Sequence, residues 1–382
     1  MLSLMVGGQL YEGWTEVAVT RSVENAVSTF DLGLSERWAR LTSDGSALVL
    51  LDQSGAVPWR IQPCMPCEIL MDGETVITGY VDSYNPTYSA SDHSVRVTGR
   101  SRTADIADCS AIVPGGQFTG YDLGQIARTL CATVGVGVDI ETDLGAPFPD
   151  VQVQQGETIF ELIERLSRLR AVLVRDAPSG NLVLARAGKG RAAGSLRQGV
   201  NILSASATLS AAERYSDYIV KGQQAATDAI PGTQATEPIG KARDPGITRY
   251  RPKLVIAEGQ TDIATAVDRA TWEKLTRAAN GVRATITVQD WRDPNSGRLW
   301  APNEMAYVDS SWLAVQRDLL IAGVTYRLSE GGTTCELSLA PPEAYTPEPV
   351  DPSAAANLGG AFAILDQKGV LSPPVGKKER PV

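Results

Sequence analysis

Val282-Arg-Ala-Thr-Ile-Thr-Val-Gln289 is the stretch of sequence that decides the fold class. Apolar side chains occupy every second position and polar ones lie between them, which is the period of a β-strand with one buried and one solvated face. Residues 319–340 repeat this alternation on both sides of Glu330-Gly-Gly-Thr333, a sequence typical of a hairpin turn. We therefore predict an antiparallel β-domain from residues 194–222 together with 281–340.

The first hundred residues carry the same period. Val17 and Val19 alternate with polar neighbours, and so do Val95 and Val97. Asp72-Gly73 lies between two strand-like runs, and this dipeptide tolerates the positive φ of a tight hairpin. Short strands at regular spacing indicate a small barrel or sandwich, so residues 1–102 are predicted to form a first β-domain.

A helical pattern separates the two β-regions. Apolar residues from Leu123 to Val134 recur at helical spacing before Gly135, and Thr158-Ile-Phe-Glu161 has the spacing of a capping box at the start of a second helix. The apolar runs within 171–185 then indicate a hairpin. Residues 103–193 are therefore predicted to form an α/β module.

Two further segments complete the predicted organisation. Residues 223–280 are an insertion, with a surface loop over 223–248 and a helix over 261–280 whose apolar side chains are Ile263, Val267 and Leu275. Residues 341–382 hold 8 of the 22 prolines and are predicted to be an extended tail. The predicted class is α+β, mainly β, with two small antiparallel barrels.

Composition limits the classes of function. The chain has 382 residues, with 35 Lys and Arg against 44 Asp and Glu, and its net charge is −9. Because nucleic-acid binding draws its free energy from cationic side chains that displace counterions, sequence-specific nucleic-acid binding is not expected. No apolar run approaches the roughly 18–20 residues of a membrane span, and the N-terminus lacks the basic start of a signal peptide.

Histidine and cysteine usage argues against a metal or redox site. His93 is the only histidine and lies in a polar stretch, so we expect it in a surface turn and exclude a multi-histidine zinc site. The five cysteines are an odd number scattered along the chain, which predicts reduced thiols. Cys64 and Cys67 have CxxC spacing, but no second pair completes a zinc site and the flanking prolines do not fit a thioredoxin-like motif.

Paired carboxylates are the one common catalytic device that the composition allows. Glu161 and Glu164 lie on the predicted second helix, with Glu157 just before it. Acidic residues on the exposed face of such a helix usually serve solvation and the helix dipole. We predict no catalytic residue and no cofactor, and a cell-wall hydrolase acting through these carboxylates stays open as an alternative.

Several passages resemble the baseplate hub protein of Mu-like contractile phage tails, the tail protein P family, and more distantly the T4-like hub and the N-terminal part of type VI secretion spike proteins. They run in order along the chain: Gly13–Ser22, Thr78–Asp82, Gly99–Asp105, Asp108–Ser110, Gly115–Gln117, Leu123–Cys131, Gly156–Thr158, Tyr218–Gly222, Thr248–Pro252 and Gly297–Asn303. Residues 34–68 and the tail match this pattern less well.

The resemblance implies a structural protein of the virion, assembled in the host bacterial cytoplasm. It implies a homotrimer in which two similar β-barrels per chain give a ring that joins the sixfold tail tube to the threefold central spike. The implied partners are the spike, the tube or tube-initiator protein, the tape measure protein and the baseplate wedge proteins. A DNA-free injection particle, a tailocin, would need the same hub, and the sequence does not separate the two.

The C-terminal tail is the predicted contact with the spike. Apolar side chains on an extended segment gain most when a partner's groove buries them. The residues that we expect to act as anchors are Tyr345, Phe362, Ile364 and Leu365.

Overall fold

A computed structural model describes residues 1–35, 61–88, 93–170, 172–188, 190–223, 238–260 and 262–346. Strands account for 47% of the structure and helices for 18%. The predicted class, α+β and mainly β, is confirmed.

The first β-region contains seven strands: β1 (Leu2–Val6), β2 (Gln9–Tyr11), β3 (Glu16–Ser22), β4 (Thr29–Ser35), β5 (Pro66–Met71), β6 (Glu74–Tyr88) and β7 (His93–Ser101). The middle of the chain contains α1 (Ala104–Asp108), β8 (Gln117–Thr119), α2 (Leu123–Thr133), β9 (Val138–Ile140), β10 (Asp150–Gln152), α3 (Ile159–Leu169), β11 (Leu173–Asp176) and β12 (Leu182–Ala185). The remaining elements are β13 (Gly190–Arg191), β14 (Leu196–Arg197), β15 (Ile202–Leu209), β16 (Asp217–Gln223), β17 (Ile239–Arg243), β18 (Pro252–Gln260), α4 (Ile263–Asn280), β19 (Val282–Gln289), β20 (Glu304–Ser310), β21 (Val315–Ser329) and β22 (Gly332–Ala340).

Strand β19 has the alternating sequence that predicted the fold class, and it lies inside the largest sheet. Its apolar side chains Ala284, Ile286 and Val288 are buried, whereas the polar residues between them are more accessible. The sheet has 14 strands, of which eleven follow the order β15-β19-β22-β21-β3-β4-β7-β6-β5-β1-β2. Of the other three, β20 pairs with β21, and β13 and β14 pair with β20. The alternation in the sequence therefore places one face of β19 in the core.

The two β-regions form one continuous sheet because β21 pairs antiparallel with β3. In this junction Tyr326 lies opposite Val19 and Thr325 lies opposite Thr20. The two threonine hydroxyls are 3.2 Å apart, although their residues are 305 positions apart in sequence. Both regions also contribute to one hydrophobic core, so the β-regions are joined through backbone and side chains alike.

The same strand arrangement occurs twice in the sheet. In chain order, β3, β4, β5, β6 and β7 correspond to β15, β19, β20, β21 and β22, and both sets pair in the same spatial order. The long strands β6 and β21 each have 15 residues, and each has a bulge midway, after Val81 and after Ile321. The large sheet is therefore an internal duplication.

The α/β module has its own hydrophobic core between α2 and α3. The predicted capping box of α3 is confirmed, since Thr158 Oγ1 accepts from the Glu161 backbone N–H at 3.1 Å and the Glu161 carboxylate accepts from the Thr158 N–H at 2.8 Å. Gly135 follows α2 with a φ of 71°, as expected of a helix stop. The predicted hairpin is β11 paired with β12.

The insertion contains more β-structure than the sequence indicates. The loop predicted over 223–248 is wrong near its C-terminal end, because Ile239–Arg243 is a strand, and residues 224–237 of that prediction lie outside the described residues. Strand β16, predicted within the second β-domain, pairs with β17 and β18 in a separate three-stranded sheet. The pattern missed β17 because Ile239-Gly-Lys-Ala-Arg243 offers no large buried side chain.

Helix α4 is confirmed, but its buried face is not the predicted one. Ile263, Val267 and Leu275 are exposed by 53%, 39% and 46%. The face towards β16 and β17 carries Ala266 and Ala270 instead. A Cβ at Gly240 of β17 would lie 2.0 Å from the carbonyl carbon of Ala266, so helix and strand approach too closely for larger side chains.

We expect Ile286→Ala to lower the free energy of unfolding by about 3 kcal/mol, because Ile286 is fully buried in a central strand. Thr287→Ala, on the opposite face of β19, should cost less than about 1 kcal/mol. Denaturant unfolding curves measure both changes. Equal losses at the two positions would contradict the assigned faces.

Candidate interaction surfaces

The face of the large sheet that points away from the core is polar and locally neutral. It carries threonines such as Thr20, Thr285 and Thr325. Its arginines have acidic neighbours. Arg96 forms a two-point ion pair with Asp31 at 2.7 and 2.6 Å. Such exposed pairs add little stability, but they remove unpaired positive charge from this face.

The terminal strands of this sheet each have one edge without a neighbour in the described part of the chain, and the longer of the two is β15. It pairs only with β19. In β6, the strand β5 pairs only as far as Tyr80, and the residues beyond it pair with β7. Leu209 on the open edge of β15 is exposed by 54%. Unpaired backbone groups in a row are a template for pairing with another chain.

The last described residues fold back onto the second β-region. Pro342–Tyr345 is a 3-10 turn, which differs from the extended conformation predicted from residue 341 onward. The Tyr345 hydroxyl accepts from Arg283 at 2.8 Å and donates to Glu24, and burial is the main reason that the pKa of this phenol is raised. Trp272 Nε1 donates to the Thr346 carbonyl at 2.7 Å.

Tyr345 thus contacts its own chain, and the other three predicted spike anchors, Phe362, Ile364 and Leu365, lie outside the described residues.

The small sheet and α4 expose the largest number of apolar side chains. Leu254 and Ile256 of β18 are exposed by 54% and 74% on the sheet face that α4 does not cover. Leu254 and Ile256 are two residues apart and share one face of the strand, and an exposed apolar patch is typical of an interaction site. The other exposed apolar side chains of the small sheet and α4 include Tyr250, Ile263, Val267 and Leu275.

The two cysteines with CxxC spacing are in different environments. Cys67 is buried, and this burial raises the pKa of its thiol to about 12. Cys64 is exposed, and its N–H donates to the Val81 carbonyl at 2.7 Å. A redox pair needs an accessible thiolate, so this geometry does not support redox chemistry.

Cys64 has a structural counterpart in the second repeat. Its φ is 68°, and Asn303, at the matching position before β20, has a φ of 69°. Both backbone N–H groups donate to the long strand that follows, Cys64 to Val81 and Asn303 to Ile321. Cys64 is therefore a turn residue in a left-handed conformation, which asparagine adopts more readily than most residues.

The three predicted carboxylates make structural contacts. Glu157 is buried and binds Arg165 through both oxygens, at 2.9 and 3.0 Å. Glu161 caps its helix as described above, and Glu164 pairs with Arg168 at 2.6 Å. Each of the three carboxylates therefore has a structural contact that accounts for an acidic residue at its position.

Metal and membrane sites are not found in the described ranges. His93 begins β7 opposite Tyr88, and the rest of its predicted turn, residues 89–92, lies outside the described residues. In the described part of the chain no group of three His, Cys, Asp or Glu residues is placed to hold a metal. None of the helices described is long and apolar enough to cross a bilayer.

Three family models match three parts of the chain in sequence order. They are the N-terminal domain of Mu phage baseplate assembly protein GpP-like proteins at 1–101, the second domain of baseplate hub protein gp44-like proteins at 103–186, and the fourth domain of GpP at 262–348. Baseplate hub protein gp44 of Escherichia phage Mu is 33% identical over 368 residues, which cover 94% of this chain and 92% of the phage protein.

The chain belongs to the Mu phage baseplate hub family. The predicted resemblance is thereby confirmed, and the matched models describe structural proteins, with no catalytic family among them.

Solved structures agree with the family assignment. The 43 kDa tail protein of prophage MuSo2 from Shewanella oneidensis is 34% identical, with a TM-score of 0.77 over 90% of this chain and 99% of that protein. A component of the E. coli type VI secretion system is 9% identical, with a TM-score of 0.51 over 91% of this chain and 79% of that protein. The second likeness shows the fold alone.

The assigned role of Cys64 leads to a test. Cys64→Asn should change the free energy of unfolding by less than about 0.5 kcal/mol, because asparagine tolerates positive φ and the side chain is exposed. Cys67→Ser should cost about 1–3 kcal/mol, since it buries a hydroxyl. Denaturant unfolding measures both. A disulfide between the two cysteines under mild oxidation would contradict the structural assignment.

Proposed function

We propose that three copies of this chain form the ring at the centre of a contractile-tail baseplate, where it joins a sixfold tail tube to a threefold spike. The observation that carries this proposal is the internal duplication of the large sheet. One chain supplies two similar β-units, so three chains supply six. Each unit would act as a small tube-like barrel, and the ring would meet sixfold symmetry on one side and threefold symmetry on the other.

The polar face of the large sheet is the proposed wall of the central channel. Its threonines and its ion pair between Arg96 and Asp31 leave few unpaired cations. DNA that passes such a wall displaces few counterions and gains little free energy from binding, so it would not be retained. The acidic net charge of −9 also disfavours retention of DNA, because like charges repel.

The proposed partners follow from this position. The spike lies below the ring, the tail tube or its initiator protein lies above it, and the tape measure protein ends within it. Baseplate wedge proteins surround the ring. The place of action is the tail baseplate of the virion, and assembly in the host bacterial cytoplasm is in keeping with the free cysteines of the described structure.

The C-terminal tail is the proposed contact with the spike. Its 36 residues after Thr346 begin at a fixed point, because Tyr345 and Thr346 are held by Arg283, Glu24 and Trp272. A segment anchored at one end loses less entropy when it binds than a free one does. Tyr345 would therefore orient the tail, and Phe362, Ile364 and Leu365 would enter a groove of the spike.

The trimer is tested by mass. Light scattering on the purified chain, alone and mixed with its spike protein, should give a species with three times the 40.7 kDa mass of the chain. A strict monomer under both conditions would contradict the proposed ring.

The tail is tested by truncation after Thr346. The truncated chain should keep its oligomeric mass and its melting temperature, because the contacts of Tyr345 and Thr346 remain, but it should bind the spike at least about tenfold more weakly. Calorimetric titration measures the affinity.

A substituted full-length chain separates the anchors from the rest of the tail. The triple change Phe362→Ala, Ile364→Ala and Leu365→Ala should reproduce the loss. The pair Val370→Ala and Leu371→Ala, which removes apolar side chains farther along, should not. Undiminished binding by the truncated chain would overturn the tail contact.

A further inference from the structure

We propose that the cavity between the two β-regions and the α/β module binds a small tetrahedral oxyanion of the phosphate class. The cavity has a volume of about 450 Å³. Its lining residues belong to one chain, so this inference does not depend on the proposed ring. Arg21 and Arg175 are the side chains that would bind the anion.

Three parts of the chain meet at this cavity, and two of the passages that carry the family resemblance line it. Arg21 lies in the passage Gly13–Ser22, on β3 of the first β-region. The passage Gly297–Asn303 supplies much of the wall that comes from the second β-region. The charged residues that line the cavity are Arg21, Glu74, Glu141, Arg175, Arg292, Arg298 and Glu304.

This charged lining has four arginines and three glutamates, which leaves one positive charge in excess. Each glutamate contacts one arginine. The pairs are Glu141 with Arg175 at 2.9 Å, Glu74 with Arg292 at 3.0 Å, and Glu304 with Arg298. Arg21 is the arginine that remains, since no carboxylate oxygen of the described residues lies within 4.0 Å of its nitrogens.

Arg21 is buried, with only 7% of its surface exposed. A buried charge without a contacting counter-ion costs free energy, because water no longer solvates it. Its Nε has no hydrogen-bond partner among the described residues, and the groups that face its side chain include the hydroxyl of Tyr326 and the carboxyl of Asp176. An anion in the cavity would supply the missing charge.

Asp176 does not replace such an anion. It is buried and lies more than 4.0 Å from the nitrogens of Arg21, and its Oδ2 has no hydrogen-bond partner in the described part of the chain. Burial raises the pKa of this carboxyl, so its own negative charge is disfavoured. Within the described structure, the charge of Arg21 is therefore balanced only in part.

Arg175 supplies a second donor. Its Nη1 donates to the Asp176 carbonyl at 3.2 Å and its Nη2 to Glu141 at 2.9 Å, whereas its buried Nε has no partner in the described ranges. Two guanidinium groups on separate elements thus each keep one N–H. A tetrahedral oxyanion presents oxygens in several directions and can accept from both, whereas a planar carboxylate fits the fork of one arginine best.

The bound anion would hold three parts of the chain together. Arg21 belongs to the first β-region, Arg175 to the module, and residues 297–304 to the second β-region. A ligand that binds only when these parts are packed stabilises the packed state by mass action. The anion would therefore fix the module against the large sheet.

Calorimetric titration of the full chain with sodium phosphate tests the site, with ionic strength held constant by sodium chloride. We expect about one phosphate per chain and a melting temperature that rises with phosphate but not with chloride. Arg21→Gln should weaken phosphate binding at least about tenfold, because it removes the unbalanced charge. Arg96→Gln is the matched control and should bind phosphate normally, since Arg96 is exposed and pairs with Asp31 outside the cavity.

A second variant keeps the test valid if Arg21→Gln does not fold. Glu304 pairs with Arg298 through one oxygen, and its Oε2 has no partner among the described residues. Glu304→Gln removes a negative charge from the cavity wall, so phosphate should bind at least about threefold more tightly. Acetate, titrated in the same way into the unchanged chain, should bind at least about tenfold more weakly than phosphate.

The outcomes decide the proposal. It is overturned if phosphate gives no binding beyond the chloride control, or if the unchanged chain and Arg21→Gln bind phosphate equally. Weaker binding by Glu304→Gln contradicts it as well. Equal affinity for acetate and phosphate overturns the phosphate class and indicates the carboxylate of a partner chain instead. None of these results bears on the trimer, which is measured separately by its mass.

Discussion

The pairing of β21 with β3 is the interaction on which the rest of the structure depends. It joins residues near the N-terminus to residues some 300 positions later, and it makes one sheet of two β-regions. Without it, Val17 and Val19 on one side and Tyr326 on the other would lose their neighbours, and the shared core would open. The α/β module and the insertion are therefore both held by the large sheet, since each lies between two strands of that sheet in the chain.

Duplication explains features that look unrelated in the sequence. Cys64 and Asn303 share no chemistry, yet both hold a left-handed turn before a strand and both donate to the bulged strand that follows. The bulges after Val81 and Ile321 occur at the same point of the two long strands. Backbone geometry is conserved between the repeats where side chains are not, so the equivalence appears in strand registers and not in residue identity.

Features that depend on neighbouring residues could be predicted from the sequence, whereas contacts between residues on separate elements could not. The alternation in β19 and the capping box at Thr158 depend on neighbouring residues, and both were predictable from the sequence. The buried face of α4 depends on the close approach of Ala266 to Gly240, which lie on separate elements. For that reason the larger residues Ile263, Val267 and Leu275 indicated the wrong face. The contacts of Tyr345 with Glu24 and Arg283 are likewise set by tertiary structure.

The candidate interaction surfaces differ from a catalytic site in the groups that make the functional contacts. A backbone edge such as that of β15 can be presented by any sequence of suitable conformation, whereas a catalytic site needs particular side chains. An open edge is also a hazard, because it can pair with any other strand. Here β15 places Ser204, Ser206 and Thr208 on its polar face. These residues weaken unspecific pairing, since small polar side chains offer little apolar surface.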